Sequence, residues 1–278
     1  MAAVVEAAPA KINLALHVRR RRPDGYHAIE TLFAFLRDGD VLSVELAERD
    51  RFAVTGPFAS ALAGQNDNLV LAARAAFARE IAPLPPLAIT LDKRLPVASG
   101  IGGGSADAAA MLRVAARIAG LGADDPRLAA CAAALGADVP ACLHGRTAFG
   151  RGTGIELTFA DGIGGTPVLL VNPGVAVSTA AAFRDWDGVD RGALGSGDPL
   201  AVARTGRNDL EPPARRLVPA IDAVLERLAD APGAKLVRMS GSGATCFALF
   251  KTEAARSAAA AGLRESRPDW WLLESTLA

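Results

Sequence analysis

A glycine-rich stretch at residues 95–112, LPVASGIGGGSADAAAML, constrains this chain more than any other segment. It contains four glycines and passes through Ser105, a predicted N-cap, into an alanine-rich run that predicts a helix. Glycine tolerates positive φ and lets other groups approach the backbone closely. A loop of this kind leaves backbone N–H groups free at the positive end of a helix dipole. We therefore hypothesise that the stretch holds the phosphates of a nucleotide.

The loop by itself does not decide between phosphate binding and a flexible turn. It does not fit the dinucleotide-binding pattern, whose third glycine would fall on Ser105, and the Gly-Lys-Ser/Thr of a P-loop does not follow it. Short glycine motifs often match by chance, so in isolation a turn between a strand and a helix is favoured. A phosphate site needs support from the rest of the chain.

Composition sets the class of protein. With 278 residues and 51% hydrophobic content, the chain can bury a sizeable core as one large domain or two lobes. Lys plus Arg and Asp plus Glu are both 30, so no net charge attracts nucleic acid or a membrane, and local groups must hold an anionic substrate. The three cysteines are scattered and the histidines have no metal-ligand spacing, which predicts a reduced, cytoplasmic protein without a structural metal.

Targeting segments are not expected. The N-terminal apolar stretch lacks a basic region ahead of it, which argues against a signal peptide. No uninterrupted apolar run approaches the roughly 18 residues that a membrane-spanning helix needs.

The periodicity of apolar residues predicts alternating strands and helices in the first half of the chain. We predict strands at residues 11–18 (half-buried), 41–46, 51–55 and 87–91, and helices at residues 69–81, 105–118 and 126–136. Asn68 and Asp125 stand where N-caps are expected. Residues 37–40, Arg-Asp-Gly-Asp, have the composition of a turn.

A second lobe is predicted to begin where the composition changes, near residues 161–166. Residues 147–158, just before it, indicate a hairpin or a loop between strands. We predict strands at residues 167–172, 235–239, 246–250 and 270–275, and helices at residues 178–183, 213–228 and 252–263. This β-α-β-β-α-β order is the ferredoxin-like arrangement. We therefore expect an α+β protein with lobes at residues 1–162 and 163–278.

Four other features carry side chains whose role the sequence leaves open. The arginines at residues 19–22 could contact nucleic acid, but a solvated strand end is favoured because the chain is otherwise neutral. Tyr26 and His27 offer a stacking ring and a hydrogen-bonding ring, or they are packed loop aromatics. Asp138, ahead of a proline, is either a capping or turn residue or is presented into a cleft, and alone the cap is favoured. The glycine turn in MSGSGATCF, residues 239–247, is a plain hairpin or one wall of a cleft.

Several of these motifs, taken together, resemble one family, the GHMP kinases. The resemblance rests on PAKINL at residues 9–14 with RPDGYH at 22–27, the glycine stretch at 95–107, LGADVP at 135–140 and MSGSGATCF at 239–247. It covers nearly the whole chain in order. It implies two lobes, the first like domain 2 of ribosomal protein S5 and the second ferredoxin-like.

The resemblance also implies an activity. Within the family, the motifs are similar to those of the branch that uses ATP to phosphorylate the 2-hydroxyl of 4-diphosphocytidyl-2-C-methyl-D-erythritol. This reaction belongs to the non-mevalonate route to isoprenoid precursors. The implied cofactors are ATP and Mg²⁺, and the implied partner is this small molecule rather than nucleic acid or a membrane. A monomer or weak homodimer is expected.

The implied site residues follow by position. Lys11 and Asp138 match the catalytic pair. The residues that match the nucleotide site are Pro96, Val97, Ala98, Ser99, Gly100, Ile101, Gly102, Gly103, Gly104, Ser105, Ala106, Asn68 and Lys93. Those that match the substrate site are Asn13, Tyr26, His27 and Phe183, the last three at the cytosine.

These residue types suit the implied chemistry. A tertiary alcohol is a very weak acid, so its phosphorylation gains from a carboxylate such as Asp138 that accepts the proton. A lysine about 4–6 Å away would lower the pKa of that carboxylate by roughly 1–3 units and could stabilise the phosphoryl group in transfer. Ser105 could bind phosphate or Mg²⁺.

Two other functions stay open at this point. One is a kinase of the same family that acts on homoserine, mevalonate or a related alcohol, which would have no use for the aromatic pair Tyr26 and His27. The other is a non-catalytic nucleic-acid-binding protein that uses the arginines at residues 19–22. The neutral charge of the chain argues against it.

Overall fold

The computed structural model describes residues 3–64 and 67–278, and its contacts divide the chain into two compact units. The first unit contains the described parts of residues 1–10, 38–97 and 102–145, and the second contains residues 11–37, 98–101 and 146–278. The units interleave in sequence because two long strands, β1 (Val4–Arg21) and β2 (His27–Leu46), run through both. The lobes at residues 1–162 and 163–278 stay a prediction.

The first unit places helices beside a set of paired strands. Its elements are β3 (Arg51–Thr55), α1 (Leu69–Glu80), β4 (Leu87–Asp92), α2 (Gly103–Ile118), α3 (Pro126–Leu135) and α4 (Val139–His144). β4 pairs antiparallel with the later half of β2 and parallel with β3. The apolar residues Leu87, Ile89 and Leu91 alternate into the core. α2 buries a run of alanines, which lets it pack closely against α1.

Two local predictions in this unit are confirmed. The Asn68 side chain accepts a hydrogen bond from the backbone N–H of Val70 and caps α1, and Asp125 caps α3 in the same way through Arg127. Such caps are predictable because the donor and the acceptor lie two residues apart in the chain.

Two other predictions are wrong. Residues 37–40 form no turn, because β2 continues through them. A Cβ on Gly39 would lie 2.1 Å from the carbonyl oxygen of Ala8. The glycine therefore allows β1 and β2 to approach each other closely and does not mark a turn. Ser105 is not the N-cap of α2, since the helix begins at Gly103 after Gly102, which has a left-handed φ of 67°.

The second unit contains a hairpin and a four-stranded antiparallel sheet. Its elements are β5 (Ala148–Arg151), β6 (Glu156–Phe159), β7 (Pro167–Asn172), α5 (Thr179–Arg184), α6 (Pro199–Thr205), α7 (Glu211–Leu217), α8 (Ala220–Ala229), β8 (Ala234–Met239), β9 (Cys246–Phe250), α9 (Glu253–Ser266) and β10 (Trp271–Thr276). β5 and β6 form the predicted hairpin, and β5 also pairs with the earlier half of β2. Residues 11–18 of β1 are buried throughout, not half-buried as expected.

The strand order of the four-stranded sheet, β10-β7-β9-β8, is that of a ferredoxin-like fold, so this prediction is confirmed. The predicted helix at residues 213–228 is two helices, α7 and α8, which meet at Val218 and Pro219. Proline disfavours helical geometry in the residue before it, and Val218 is extended, with φ −137° and ψ 86°. Across the described residues, no helix is both long and apolar enough to cross a membrane.

Candidate functional site

The start of α2 offers a binding site for an anion. Gly102 precedes the helix, and Gly103, Gly104 and Ser105 form its first turn, which contains no acidic side chain. The first N–H groups of a helix have no intrahelical partner and stand at the positive end of its dipole. Because the glycines place no side chain over these groups, a phosphate could approach them directly.

A buried ionic cluster lies next to this helix start. The ammonium group of Lys93 donates to Asp40 Oδ2 at 2.5 Å and to Asp107 Oδ2 at 2.7 Å, and at most 3% of each of these side chains is exposed. Burial, with a smaller contribution from the Asp40 carboxylate, raises the pKa of Asp107 to about 7 against the opposing attraction of Lys93. The two carboxylates keep the pKa of Lys93 raised even though burial opposes this. The predicted nucleotide residue Lys93 thus directs its Nζ at carboxylates.

Within the second unit, residues 98–101 of the glycine stretch pack against the turn at residues 240–243. Ser240 Oγ donates to the carbonyl oxygen of Gly100 at 2.9 Å, and the Thr245 N–H donates to that of Ser99 at 3.1 Å. A Cβ on Gly100 would lie 2.4 Å from the carbonyl oxygen of Ser240. Residues 98–101 and the turn at 240–243 therefore form one packed structure, and the turn is more than a plain hairpin.

Lys11 heads a chain of buried hydrogen bonds in the same unit. Its Nζ donates to Asn13 Oδ1 at 3.0 Å, and Asn13 Nδ2 donates to Thr31 Oγ1 at 2.7 Å. The backbone N–H of Asn13 donates to Ser240 Oγ at 3.1 Å. These contacts orient the Asn13 amide, since only its oxygen can face the ammonium group. The predicted residues Lys11 and Asn13 therefore lie together and next to Ser240.

Asp138 occupies the position before α4 without capping it. Its backbone is helical, with φ −87° and ψ −17°, and its side chain makes no capping hydrogen bond. The cap that Asp138 was expected to form when considered alone is therefore wrong, because a capping residue needs an extended backbone to reach the helix N–H groups. Asp138 belongs to the first unit and Lys11 to the second, so their pairing stays a prediction.

Three aromatic rings meet at the start of β2. The rings of His27 and Phe183 have centroids 4.9 Å apart, and those of His27 and Trp186 have centroids 5.8 Å apart. His27 Nε2 is buried without a hydrogen-bond partner, and burial, followed by the charge of Arg21, lowers the pKa of the imidazole. The ring of Tyr26 lies at the surface, where 65% of the residue is exposed. Of the three residues expected at the cytosine, His27 and Phe183 therefore lie in contact, and Trp186 joins them.

Three further residues shape these sites and were not predicted from the sequence. Trp186 follows Phe183 at a spacing of three, which on a helical turn brings two side chains to one side and could have signalled it. Thr31 holds Asn13, and no local pattern marks it. Asn208 donates to the carbonyl oxygens of Met239 and Gly241, both at 2.8 Å, and so fixes the second glycine turn.

Comparisons with known proteins agree over nearly the whole chain. The family model "GHMP kinases N terminal domain" matches residues 68–146, and "GHMP kinases C terminal" matches residues 180–269. Curated relatives named 4-diphosphocytidyl-2-C-methyl-D-erythritol kinase include one from Rhizorhabdus wittichii, 58% identical over 98% of this chain and 94% of the relative. Another, from Novosphingobium aromaticivorans, is 51% identical over 98% and 92%.

Solved structures agree with these matches. A crystal structure of 4-(cytidine 5'-diphospho)-2C-methyl-D-erythritol kinase has a TM-score of 0.80 and 34% identity, covering 99% of both chains. A homoserine kinase from Cytophaga hutchinsonii has a TM-score of 0.73 and 18% identity, covering 100% of this chain and 95% of the other. At that identity the second match concerns the fold alone.

Proposed function

The chain belongs to the GHMP kinase family of ATP-dependent kinases, and on this basis we propose that it phosphorylates the 2-hydroxyl of 4-diphosphocytidyl-2-C-methyl-D-erythritol. The products are the 2-phosphate and ADP, in the non-mevalonate route to isoprenoid precursors. The observation that carries the proposal is identity of 58% and 51%, over 98% of the chain, to relatives named for this kinase. The family and fold predicted from the motifs are confirmed.

For the nucleotide, we propose that residues 96–106 hold the phosphates of ATP, with Asn68 and Lys93 close by. The support is the start of α2, where glycines and the absence of acidic side chains in the first turn leave the N–H groups open to an anion. Ser105 would contact a phosphate or Mg²⁺. Among the described residues no group of three or more His, Cys, Asp or Glu could hold a metal. This suits Mg²⁺ that enters with ATP, since phosphates supply many of its ligands.

For the chemical step, we propose Asp138 as the base and Lys11 as the cation. The 2-hydroxyl oxygen forms a bond to the γ-phosphorus of ATP while the bond from that phosphorus to the bridging oxygen breaks and ADP leaves. The hydroxyl proton passes to the Asp138 carboxylate. The Lys11 ammonium stabilises negative charge on the phosphoryl group in transfer, which is the largest contribution a protein makes to such a reaction. The hydrogen bond from Lys11 to Asn13 holds that ammonium in place.

For the substrate, we propose that Tyr26, His27 and Phe183 bind the cytosine and that Asn13 contacts the rest of the molecule. A neutral base suits aromatic stacking and neutral hydrogen-bonding groups, and the lowered pKa of His27 keeps its imidazole neutral at pH 7. Homoserine and mevalonate carry no ring on which such an aromatic patch could stack.

One assay tests the substrate. The protein is incubated with ATP, Mg²⁺ and each candidate alcohol in turn, and release of ADP is followed. We expect turnover with the cytidyl substrate only. Turnover with homoserine or mevalonate instead would move the chain to another branch of the family. No turnover, together with salt-sensitive RNA binding, would favour the nucleic-acid-binding alternative. A cytoplasmic location and a monomeric or weakly dimeric state stay predictions.

A further inference from the structure

We propose that Asp40, Lys93 and Asp107 form a positioning cluster that fixes the start of α2 and, through it, the affinity of the chain for ATP. The proposal rests on the proposed function, in which the start of α2 binds the phosphates. None of the three side chains is assigned to the transfer step itself. Their role is to hold the backbone that binds.

Strand pairing brings the first two residues together. In the antiparallel register of β2 and β4, Val41 faces Asp92, so the next position places Asp40 beside Lys93. Asp40 Oδ1 also accepts the backbone N–H groups of Arg94 at 2.6 Å and Leu95 at 2.8 Å. One carboxylate therefore fixes both the end of the strand and the chain that leads into the glycine stretch.

The third residue connects this strand end to the helix. Asp107 lies just beyond the first turn of α2, and its Oδ2 accepts from Lys93 Nζ at 2.7 Å. A Cβ on Gly103 would lie 3.0 Å from Lys93 Nζ and 3.5 Å from Asp40 Oδ2. The first helical residue therefore lies directly on the ion pair, and a shift of the cluster would move the N–H groups that follow Gly102.

The charges of the cluster favour such a role. A buried ion pair gives little net stability, because desolvation offsets much of the attraction. Removing one partner is costly, since it leaves an uncompensated charge in the interior. Asp107 Oδ1 is buried without a hydrogen-bond partner. The buried carboxylate of Asp107 therefore contributes little net stability, and we assign its role to the geometry that it imposes on α2.

The test compares Asp107→Asn with a matched control that contacts the same helix from strand β1, Glu6→Gln. Glu6 accepts from Arg113 and Arg117, both at 2.5 Å, in the later part of α2. Affinity for a non-hydrolysable ATP analogue is measured by calorimetry without the alcohol, alongside Tm, kcat and KM for each substrate. We expect Asp107→Asn to weaken analogue binding roughly ten- to a hundredfold and to leave KM for the alcohol unchanged. Glu6→Gln should lower Tm only.

Two results would overturn the cluster as a positioning device. One is wild-type analogue affinity in Asp107→Asn, and the other is an equal loss of affinity in Glu6→Gln, which would trace the effect to general destabilisation. If Asp107→Asn does not fold, Asp40→Asn, which removes a charge of the same cluster at a residue not assigned to the nucleotide site, is judged by the same criteria. Since the analogue is measured alone, a wild-type protein that binds it but does not phosphorylate the cytidyl substrate refutes the proposed substrate and leaves the cluster standing.

Discussion

The imidazole of His27 stands edge-on against the indole of Trp186, with 84° between the ring planes and 5.8 Å between the centroids. The imidazole also contacts the ring of Phe183, with 31° between the ring planes and 4.9 Å between the centroids. The ring that is proposed to contact cytosine is therefore held by two aromatic side chains, one of which no motif had marked.

Replacing Trp186 by leucine should raise KM for the cytidyl substrate about two- to tenfold, because an aromatic pair contributes roughly 0.5–1.5 kcal/mol beyond area burial. KM for ATP should not change. Steady-state kinetics with each substrate varied in turn measures both values. Trp186→Phe, which keeps an aromatic edge, serves as the control and should behave nearly as wild type. Equal rises in the two KM values for Trp186→Leu would show that the indole does not act through His27.

Acidification should weaken binding of the cytidyl substrate through His27. Burial lowers the pKa of this imidazole from 6.5, so the folded chain favours the neutral ring. The contribution of His27 to stability is present above pH 6.5 and is lost as the pH falls through its lowered pKa. KM for the cytidyl substrate should rise as the pH falls through the lowered pKa of His27. NMR titration of the imidazole should give that same lowered pKa. His27→Gln should abolish this pH dependence. A titration above 6.5 would contradict the assignment.

The sequence predicted elements whose causes are local, and it missed those whose causes are distant. The cap by Asn68 depends on a donor two residues away, and the ferredoxin-like order follows from the succession of elements. The turn predicted at Gly39 is wrong because the glycine is required by a close approach to the carbonyl group of Ala8, which lies on another strand. Asn208 carried no signal, since its partners lie more than 30 residues further along the chain.

The candidate site divides in the same way. Lys11, Asn13 and His27 could be taken from motifs, and Phe183 from its position in the family resemblance. The structure brings them into two groups, Lys11 with Asn13 and His27 with Phe183. The contacts that support each group, from Thr31 and Trp186, depend on pairing and packing that no spacing in the sequence encodes. The supporting residues therefore had to be found in the structure.

Asp138→Asn should lower kcat roughly 10²- to 10⁴-fold with little change in either KM, as expected for loss of a general base. Lys11→Met should also lower kcat, because it removes the cation that stabilises the transferred group. If both residues act on one reacting group, the double variant should be barely slower than the slower single variant. Rapid-quench or coupled assays of ADP release measure these rates. A near-normal rate in Asp138→Asn would show that another group accepts the proton.

Asp107 should make the folded state less stable as the pH rises. Its pKa is raised by burial to about 7 in the folded chain, whereas an unfolded aspartate titrates near 3.9, so the folded state holds a proton between these values that the unfolded state lacks. Its contribution to stability is thus fully present below about 4 and is lost as the pH rises through about 7. Asparagine cannot titrate, so the free energy of unfolding of wild type minus that of Asp107→Asn should fall from pH 5 to pH 8. Urea unfolding at unit steps of pH measures this difference. A difference that grows with pH would mean that Lys93 outweighs burial and keeps Asp107 ionised.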